Sequence, residues 1–387
     1  MSVTAARGFV AAGGHGGLKD DGVSDLAIVA TADGQAVPAA GVFTANKMTA
    51  APVLVSRAHL RQSRGHAAAV FLNSGNANAG TGEPGSQDAE ELCAHVAQQL
   101  GCAHDQVLIC STGLIGYRLP LEPLVAAIPG LVAQRAPDGD GDAAQAILTT
   151  DTVRKEVVID GGGFTVGGMA KGAAMLAPNM ATMLAVLTTD AEAEPTVLQK
   201  VLQDAVTDTF NCITVDGATS TNDTVLLLAS GVAGPADADV LEAAVTAACA
   251  SLAEQMVADA EGATKLVRVH VTGAKTDAEA RTAARAVASS QLTKCSWYGN
   301  DPYWGRVGSD LGACGVAFDP VLLSVAYGGT VVCRHGVEAE HNRAAVTEHM
   351  AGRDIELTAD LGIGSGRATV LTCDLTHAYV DENMGTS

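Results

Sequence analysis

One threonine stands where a polypeptide could make its own nucleophile. Thr182 lies in the segment LAPNMATMLAVLTTD, after a Gly- and Ala-rich stretch and before a largely apolar run. A threonine hydroxyl needs a base beside it, and the free amine of an N-terminal threonine is one such base. The pKa of an α-amino group, about 7.7–8.0, leaves a useful neutral fraction near pH 7. Cleavage between Ala181 and Thr182 would create that amine. From the residues alone, an ordinary loop leading into a core strand is the alternative.

The residues around Thr182 alternate between strand and helix patterns, which predicts an α/β protein. Continuous apolar runs predict buried strands, and the alternation KLVRVHV predicts a half-buried one. Leu92, Val96 and Leu100 recur every four residues, as on one face of a helix. The predicted strands are 26–32, 39–43, 67–72, 106–110, 156–159, 164–166, 182–188, 224–229, 265–271, 322–332, 355–360 and 367–374. The predicted helices are 87–100, 121–134, 141–147, 197–206, 240–260, 278–289 and 343–350.

The composition of the chain excludes several classes of function. Of its 387 residues, 23 are Lys or Arg and 43 are Asp or Glu, so the formal net charge is −20. This excludes non-specific nucleic-acid binders and polybasic membrane-surface proteins, which depend on Lys and Arg. The pattern of apolar residues predicts neither a secretory leader nor a membrane span. Nine cysteines without a CxxC pair predict reduced thiols in a cytoplasmic protein. Neither the cysteines nor the ten histidines have metal-ligand spacing, so no metal site is expected.

Other familiar site motifs are missing or misplaced. The sequence GIGSG at 362–366 lies between two predicted strands, whereas a dinucleotide-binding loop joins a strand to a helix. A turn is therefore predicted there. The chain has no GxxxxGK[ST] phosphate loop and no GxSxG nucleophile elbow. Thr182 therefore remains the candidate that the sequence offers for covalent chemistry.

Seven segments, in the same order along the chain, resemble the glutamate N-acetyltransferase family, also called the ornithine acetyltransferase or ArgJ family. They are NSGNANAGTG (73–82), STGLIG (111–116), TTDT (149–152), GGMAKGAAMLAPNMATML (167–184), TSTNDT (219–224), DAEGATK (259–265) and DPYWGR (301–306). The resemblance extends from RGFVAAGG near the N-terminus to the last residues. It implies an α/β (α+β) fold of stacked β-sheets covered by helices, with an N-terminal nucleophile.

The resemblance also implies self-cleavage and an acetyl-transfer reaction. Cleavage between Ala181 and Thr182 would give an α chain, 1–181, and a β chain, 182–387, assembled as an α2β2 heterotetramer. The Thr182 hydroxyl would take the acetyl group of N2-acetylornithine and pass it to glutamate in a ping-pong reaction. No cofactor is implied. Acetyl-CoA is an open co-substrate, because family members divide into those that use it and those that do not.

Each further site residue follows from its match to a family motif. Thr112 and Gly113 match the oxyanion hole, although STG by itself is typical of a plain turn. Lys171 matches a substrate-binding lysine, and a surface lysine is the alternative. Thr149 matches a substrate-binding threonine, with Thr150 as an alternative. Glu261 matches an acidic substrate contact, and a plain helix-end glutamate is the alternative. Asn383 and Ser387 match two further substrate-binding residues near the C-terminus. Thr182, besides being the nucleophile, is the last of the substrate-binding residues that the resemblance implies.

Three departures from the family pattern bear on the acyl acceptor. Tyr303 stands where Asn is usual, and Ala218 stands where Asp is common. In the tail ENMGTS, Ser387 follows Asn383 by one residue less than usual, so either Thr386 or Ser387 would contact substrate. A paralogous acyltransferase of secondary metabolism therefore stays open. An N-terminal-nucleophile aminopeptidase or amidohydrolase, and a non-catalytic protein of the same fold, are further alternatives.

Overall fold

The computed structural model describes residues 2–177 and 183–385. They form two compact units. The first unit comprises the described residues of Met1–Asn211 and Thr219–Met256. The second comprises Cys212–Ala218 and Val257–Gly385. The predicted cleavage point between Ala181 and Thr182 lies outside the described residues, and the predicted α and β chains remain a prediction.

The strands and helices follow one another along the whole described chain. The strands are β1 (Phe9–Gly14), β2 (Leu26–Thr31), β3 (Val37–Phe43), β4 (His66–Ala67), β5 (Ala69–Asn76), β6 (Val107–Leu114), β7 (Lys155–Asp160), β8 (Thr165–Lys171), β9 (Leu184–Glu192), β10 (Ile213–Thr214), β11 (Thr224–Pro235), β12 (Leu266–Ala274), β13 (Ser324–Tyr327), β14 (Thr330–Arg334), β15 (Val337–Glu338), β16 (Asp354–Asp360) and β17 (Gly366–Cys373). The helices are α1 (Ala51–Gln62), α2 (Gly82–Leu100), α3 (Leu121–Ala133), α4 (Asp140–Ala146), α5 (Pro195–Asp208), α6 (Ala238–Ala258), α7 (Asp277–Ser289), α8 (Gln291–Tyr298), α9 (Trp304–Ala313), α10 (Arg343–Ala351) and α11 (His377–Glu382).

The first unit is built on two stacked sheets. Within the described residues, one sheet has the strand order β1-β2-β5-β6 and the other has the order β4-β3-β11-β9-β8-β7. A shared apolar core lies between them and includes Val29 and Leu72 from the first sheet and Val186 and Leu226 from the second. Fully burying each such side chain contributes roughly 1.5–3 kcal/mol. The prediction of an α/β fold with stacked sheets is therefore confirmed.

The strand β9 lies at the centre of the larger sheet. It pairs in parallel with β11 and antiparallel with β8, and every residue from Leu184 to Ala191 is buried. Its largely apolar sequence fits a strand with neighbours on both edges and cover on both faces. The structure thus fixes the chain firmly in the core two residues after Thr182.

Helices cover the outer faces of both sheets. On the smaller sheet, Leu92 and Val96 of α2 and Leu124 and Ile128 of α3 join a second apolar core. On the larger sheet, α6 is tied to β7, because the Gln255 side chain exchanges hydrogen bonds of 3.1 Å with the backbone N–H and C=O of Glu156. By length and composition α6 could span a membrane, which the sequence patterns had not indicated, but half of its most apolar stretch is buried in the protein. Buried core helices of water-soluble proteins commonly have this composition.

The second unit contains the mixed sheet β10-β17-β12-β16-β13-β14-β15. The strand β12 pairs in parallel with β16 and antiparallel with β17. The core of this unit is formed by alternate strand residues such as Val269 and Leu357, together with Ala284 of α7, Leu311 of α9 and Met350 of α10. The segment at 362–365 is a turn between β16 and β17, as predicted.

Two predicted strands were wrong in detail, and helices α8 and α9 were not predicted. The strand predicted at 106–110 continues to Leu114 as β6, because parallel pairing with β5 extends through its end. The strand predicted at 322–332 is two strands, since Gly328 and Gly329 turn the chain with φ of +53° and +76°. Helices α8 and α9 lie between the helix predicted at 278–289 and the strand predicted at 322–332, where the sequence patterns predicted neither a helix nor a strand. Burial of Val307 and Leu311 in α9 outweighs the cost of about 1 kcal/mol for a helical glycine.

All nine cysteines lie in the described residues, and none of them forms a disulfide there. Six of them are buried: Cys93, Cys110, Cys212, Cys249, Cys333 and Cys373. Burial raises the pKa of the Cys110 and Cys249 thiols to about 12. Cys110 and Cys249 are therefore neutral, small apolar residues of the core rather than nucleophiles.

Candidate active site

Lys171, at the end of β8, contacts two other predicted site residues of the first unit, Thr112 and Thr149. Its side chain is buried, with the residue 7% exposed. The ammonium group donates a hydrogen bond of 2.7 Å to Thr149 Oγ1 and one of 3.3 Å to Thr112 Oγ1. Thr149 is exposed and Thr112 half-buried, so the hydroxyls lie between solvent and the buried charge. Lys171 is therefore not the surface lysine that the sequence left as an alternative.

A buried carboxylate, Asp151, fixes the charge of this cluster. Lys155 Nζ lies 2.6 Å from Asp151 Oδ1, Lys171 Nζ lies 3.8 Å from Oδ2, and the Gly172 N–H donates to Oδ1 at 2.7 Å. Burial alone would raise the pKa of Asp151, but Lys171, Lys155 and the Gly172 amide together lower it to about 2. Asp151 therefore stays ionised at neutral pH and stabilises the positive charge of Lys171.

A third lysine reaches the same cluster from the N-terminal part of the chain. Lys19 Nζ donates to the carbonyl oxygens of Leu148, at 2.6 Å, and Ser24, at 3.2 Å. Burial lowers the pKa of Lys19, Asp25 opposes that change, and the charge of Lys171 adds to it. Since Leu148 directly precedes Thr149, Lys19 supports the backbone that presents this threonine. Lys19, Lys155 and Lys171 thus bring three ammonium groups to one place in an acidic protein, with Asp25 and Asp151 among them.

The predicted oxyanion residues end the edge strand β6. Gly113 has φ of +127°, a conformation that side chains rarely adopt. A Cβ atom there would lie 2.3 Å from the backbone carbon of Gly75 on β5, so only glycine allows the two strands to approach. The STG sequence therefore lies in a strand end with a tight backbone approach, not in the plain turn that the sequence left open.

Two asparagines from other family-like segments brace this strand end. Ser111 donates a hydrogen bond of 2.6 Å to Asn73 Oδ1. Asn222 donates to the carbonyl oxygens of Ser111, at 2.9 Å, and Ala77, at 2.5 Å. Both asparagines are buried, so their amides position backbone rather than contact solvent. This explains physically why segments 73–82 and 219–224 carry asparagine.

Met183 and Leu184, the first described residues after 178–182, lie near the lysine cluster. Strand pairing places Lys171 opposite Leu184. The Cβ of Met183 lies 3.7 Å from the Cβ position of Gly172, and the Ala177 carbonyl accepts a hydrogen bond of 3.1 Å from Thr219 Oγ1. Ala181 and Thr182 themselves lie outside the described residues. Their roles in cleavage and nucleophilic attack remain predictions.

The second unit brings together another predicted pair, Glu261 and Asn383. Asn383 Nδ2 donates to Glu261 Oε2 at 2.7 Å and to the Tyr379 carbonyl at 2.9 Å. Glu261 is buried and lies three residues beyond the end of α6, so it is not a plain helix-end glutamate. Thr376, which caps α11, donates to the Gly262 carbonyl at 2.8 Å and holds this helix beside the acidic residue. Ser387 and Thr386 lie outside the described residues.

The family departures at Tyr303 and Ala218 occupy exposed positions of the second unit. Tyr303 is 56% exposed and precedes α9, where its ring covers Gly305. The Ala218 N–H donates to Asp216 Oδ1 at 3.0 Å, and the Tyr379 hydroxyl lies 3.4 Å from Asp216 Oδ2. Asp216 thus already provides a carboxylate two residues before the position where the family commonly has one. Burial and Asp216 raise the pKa of Tyr379, which keeps its hydroxyl neutral.

Sequence reasoning missed the charged residues that support the site. Asp151 lies inside the quoted TTDT segment, but no role was predicted for it. Lys155 was placed next to a predicted strand, and its burial could not be seen from a sequence pattern. Lys19 lies in a polar stretch, KDDG, that is typical of an exposed loop. Lys155 stands between Arg154 and Glu156, so its immediate neighbours are typical of an exposed segment.

Comparison with known proteins identifies the family. A family model described as the ArgJ family matches residues 10–385. The arginine biosynthesis bifunctional protein ArgJ of Thermobifida fusca is 48% identical over 389 residues, covering 100% of both chains. The protein of the same name from Mycolicibacterium paratuberculosis is 49% identical over 397 residues, covering 100% of this chain and 96% of that protein. The chain belongs to the ArgJ family.

A solved structure is also similar to part of the chain. It is the crystal structure of ornithine acetyltransferase complexed with ornithine from Mycobacterium tuberculosis, which is 43% identical. The match covers 47% of this chain and 96% of that chain, with a TM-score of 0.44. The resemblance drawn from seven segments is thus confirmed by the family match. The prediction of an ArgJ-type enzyme agrees with the names of the curated relatives, which place them in arginine biosynthesis.

Proposed function

We propose that this chain is a self-processing acetyltransferase that moves the acetyl group of N2-acetylornithine to glutamate through an acetyl-Thr182 ester. The observation that carries the proposal is the meeting of Lys171 with Thr149 and Thr112, at 2.7 and 3.3 Å. These contacts place a cation, which can bind a substrate carboxylate, next to two hydroxyl groups. One of these hydroxyls belongs to Thr112, the residue before the proposed oxyanion residue Gly113. Family membership supports the same reaction, because relatives are named as bifunctional proteins of arginine biosynthesis.

The proposed processing step needs the nucleophile beside this cluster. Thr182 is bonded to Met183, and consecutive Cα atoms lie about 3.8 Å apart. Met183 lies beside Gly172, the residue after Lys171, and this contact supports the proposal. In the proposed step, the Thr182 hydroxyl attacks the Ala181 carbonyl carbon, and the C–N bond breaks to give an ester and a free amine. Water then hydrolyses the ester, which leaves a carboxylate on Ala181 and restores the hydroxyl.

The proposed transfer reaction uses the same groups twice. The free amine of Thr182 takes the proton of its hydroxyl, which attacks the acetyl carbonyl and releases ornithine. The Gly113 amide and the Thr112 hydroxyl are donors of the type that stabilises the oxyanion of each tetrahedral intermediate. Glutamate then attacks the acetyl ester and leaves as N-acetylglutamate. Lys171 receives an α-carboxylate, and Glu261 with Asn383 is suited to a substrate amine. No cofactor takes part in either step.

The test is the fate of the purified chain and of two Thr182 variants. We expect wild-type protein to run as two fragments, 1–181 and 182–387, in a denaturing gel. Thr182→Ala should stay as one 39.0 kDa band and be inactive. Thr182→Ser keeps a hydroxyl, so it should still be cleaved. A single uncleaved band for the wild type would contradict the proposal, and size-exclusion chromatography of the processed protein tests the proposed α2β2 assembly.

The acceptor and donor are tested separately. Wild-type protein is incubated with acetylornithine, with and without glutamate. An acetyltransferase should form N-acetylglutamate, whereas an aminopeptidase or amidohydrolase would release acetate at the same rate in both mixtures. Acetyl-CoA replaces acetylornithine in a third mixture, since the relatives are named bifunctional. Transfer to another amine but not to glutamate would favour the paralogous acyltransferase.

A further inference from the structure

Three side chains that the proposed reaction does not use meet on the outer side of the smaller sheet in the first unit. His59 comes from α1, Glu90 from α2, and His104 from the short 3₁₀ turn His104–Gln106 before β6. Each offers one ligand atom, and these atoms all lie within 4.8 Å of one another. The residues are far apart in the sequence, which is why no metal-ligand spacing predicted a site here.

The orientation of His59 is fixed by its contact with the backbone. The residue is fully buried, and its Nδ1 lies 2.7 Å from the Val107 carbonyl oxygen. A carbonyl oxygen only accepts hydrogen bonds, so Nδ1 carries the proton and donates it. Nε2 is therefore directed at Glu90 Oε2, which lies 2.9 Å away. Metal-binding histidines are commonly held in this way, with the second ring nitrogen donating to a backbone carbonyl.

The contact between His59 Nε2 and Glu90 Oε2 needs a proton or a metal ion between the two atoms. With Nδ1 protonated, a neutral imidazole presents only an acceptor at Nε2, and an ionised carboxylate also only accepts. Two acceptors 2.9 Å apart are stable only with a proton or a cation between them. A proton needs only these two atoms. His104 adds a third ligand atom for a metal ion. Its ring lies edge-on to that of His59, at 86°, with the ring centroids 5.5 Å apart.

We propose that His59, Glu90 and His104 form a binding site for a divalent transition metal of the Zn²⁺ class. Two imidazoles and one carboxylate are a ligand set that Zn²⁺ takes in proteins, with a fourth position open to water. Glu90 and His104 are solvent-accessible, so an ion can enter without unfolding the protein. The bound ion would join α1, α2 and the turn before β6, and so stabilise the strand whose far end carries Thr112 and Gly113.

The experiment measures binding of Zn²⁺ by isothermal titration calorimetry. The protein is the full chain without a histidine tag, treated with a chelator and dialysed. We expect one tight Zn²⁺ per chain and a rise in melting temperature that depends on Zn²⁺ concentration. His104→Ala and Glu90→Gln should each weaken binding at least about tenfold. Both residues are accessible, and circular dichroism checks that the variants fold.

The matched control is His95→Ala on α2, the helix that also carries Glu90. The side chain of His95 is 38% exposed, and its Nε2 lies 3.9 Å from Glu91 Oε1. It therefore offers an imidazole–carboxylate pair without a third ligand atom. Its loss should leave tight Zn²⁺ binding unchanged. A Co²⁺ complex of the wild type should show the intense visible absorption of four-coordinate cobalt, and His104→Ala should lose it. Equal binding by wild type and His104→Ala, or no tight binding by wild type, would show that a proton alone joins His59 to Glu90.

Discussion

The two units support their candidate site residues by different means. In the first unit, Lys171 ends a sheet strand, is buried, and is held by the ionised carboxylate of Asp151. In the second unit, Asn383 is exposed, follows the six-residue helix α11, and bonds to the buried Glu261 from near the end of the chain. The first arrangement is fixed by sheet pairing and charge. The second depends on one short helix.

This difference separates two requirements of an acyl-transfer enzyme. Groups that stabilise a transition state must be held rigidly, because a donor that has to reorient gives much less stabilisation. Groups that select a substrate can lie on short terminal elements whose sequence varies freely. The departures from the family pattern at Tyr303, Ala218 and the tail all fall in or after the second unit's segments. We therefore expect the chemistry to depend on the first unit and acceptor choice to depend on the second.

Replacing Asp151 by Asn should have the largest effect. The variant leaves Lys155 and Lys171 buried without their carboxylate, and breaking such a buried pair costs about 3–5 kcal/mol. The free energy of unfolding is measured with urea. The control is Asp204→Asn, whose partner Lys200 is a surface residue of α5, and it should unfold almost like wild type. Equal losses in both variants would mean that Asp151 has no special structural role.

Gly113→Ala should lower kcat by about 10²–10³, the usual cost of losing one oxyanion donor. The added Cβ would lie 2.3 Å from the Gly75 backbone carbon, so the strand end must move. Gly116→Ala is the control. It has a similar positive φ of +94° but no atom within 4 Å of the new Cβ. If both variants lose activity equally, backbone strain alone explains the effect and the strand contact does not matter.

Acid should weaken the first unit through Asp151. The folded-state pKa of about 2 lies below the ordinary value of 3.8, so ionised Asp151 stabilises the fold above that ordinary value. This stability is lost as the pH falls toward 2, and the shift corresponds to about 2 kcal/mol. Urea unfolding of wild type and Asp151→Asn is compared at pH values on both sides of this range. The wild type should lose about that much more stability than the variant, and parallel losses would contradict the prediction.

Asn383→Ala should have a smaller effect, mainly on KM. The variant removes one hydrogen bond to Glu261, and a hydrogen bond to a charged group contributes about 1.5–3 kcal/mol. Because Asn383 is exposed, we expect the lower end, a rise in KM of about tenfold with kcat nearly unchanged. Glu382→Gln, the exposed neighbouring residue, serves as the control. A fall in kcat without a change in KM would place Asn383 in the chemistry rather than in substrate binding.

Salt should have the smallest effect. The net charge of −20 should repel carboxylate substrates at long range, while the lysine cluster attracts them at contact. At about 1 M salt the Debye length is about 3 Å, so long-range repulsion disappears but contact attraction largely survives. KM should therefore change by less than about threefold, measured in steady-state assays over that range. A steep rise in KM with salt would show that long-range attraction draws substrate to the site.

The sequence predicted the meeting of Thr112, Thr149 and Lys171 because each lies in a family-like segment. It also placed most strands and helices within a few residues, since apolar runs and four-residue spacing report burial directly. It could not predict the support given by Lys19 and Asp151, because these contacts join segments whose polar residues look like ordinary loops. The extension of β6 to Leu114 was missed for a similar reason. Strand pairing with β5, a non-local interaction, outweighs the local turn preference of Ser-Thr-Gly.

The strand order of the six-stranded sheet in the first unit has a consequence for the lifetime of the molecule. The strands β3, β4, β7 and β8 precede the proposed break, and the inner strands β9 and β11 follow it. After cleavage, the two pieces would be interleaved in one hydrogen-bonded sheet, so neither could leave without dismantling the core. Unfolding would then release two separate polypeptides, and recovery would require them to find each other again. We expect the processed protein to fold only once, with its persistence set by the rate of unfolding rather than by reversible refolding.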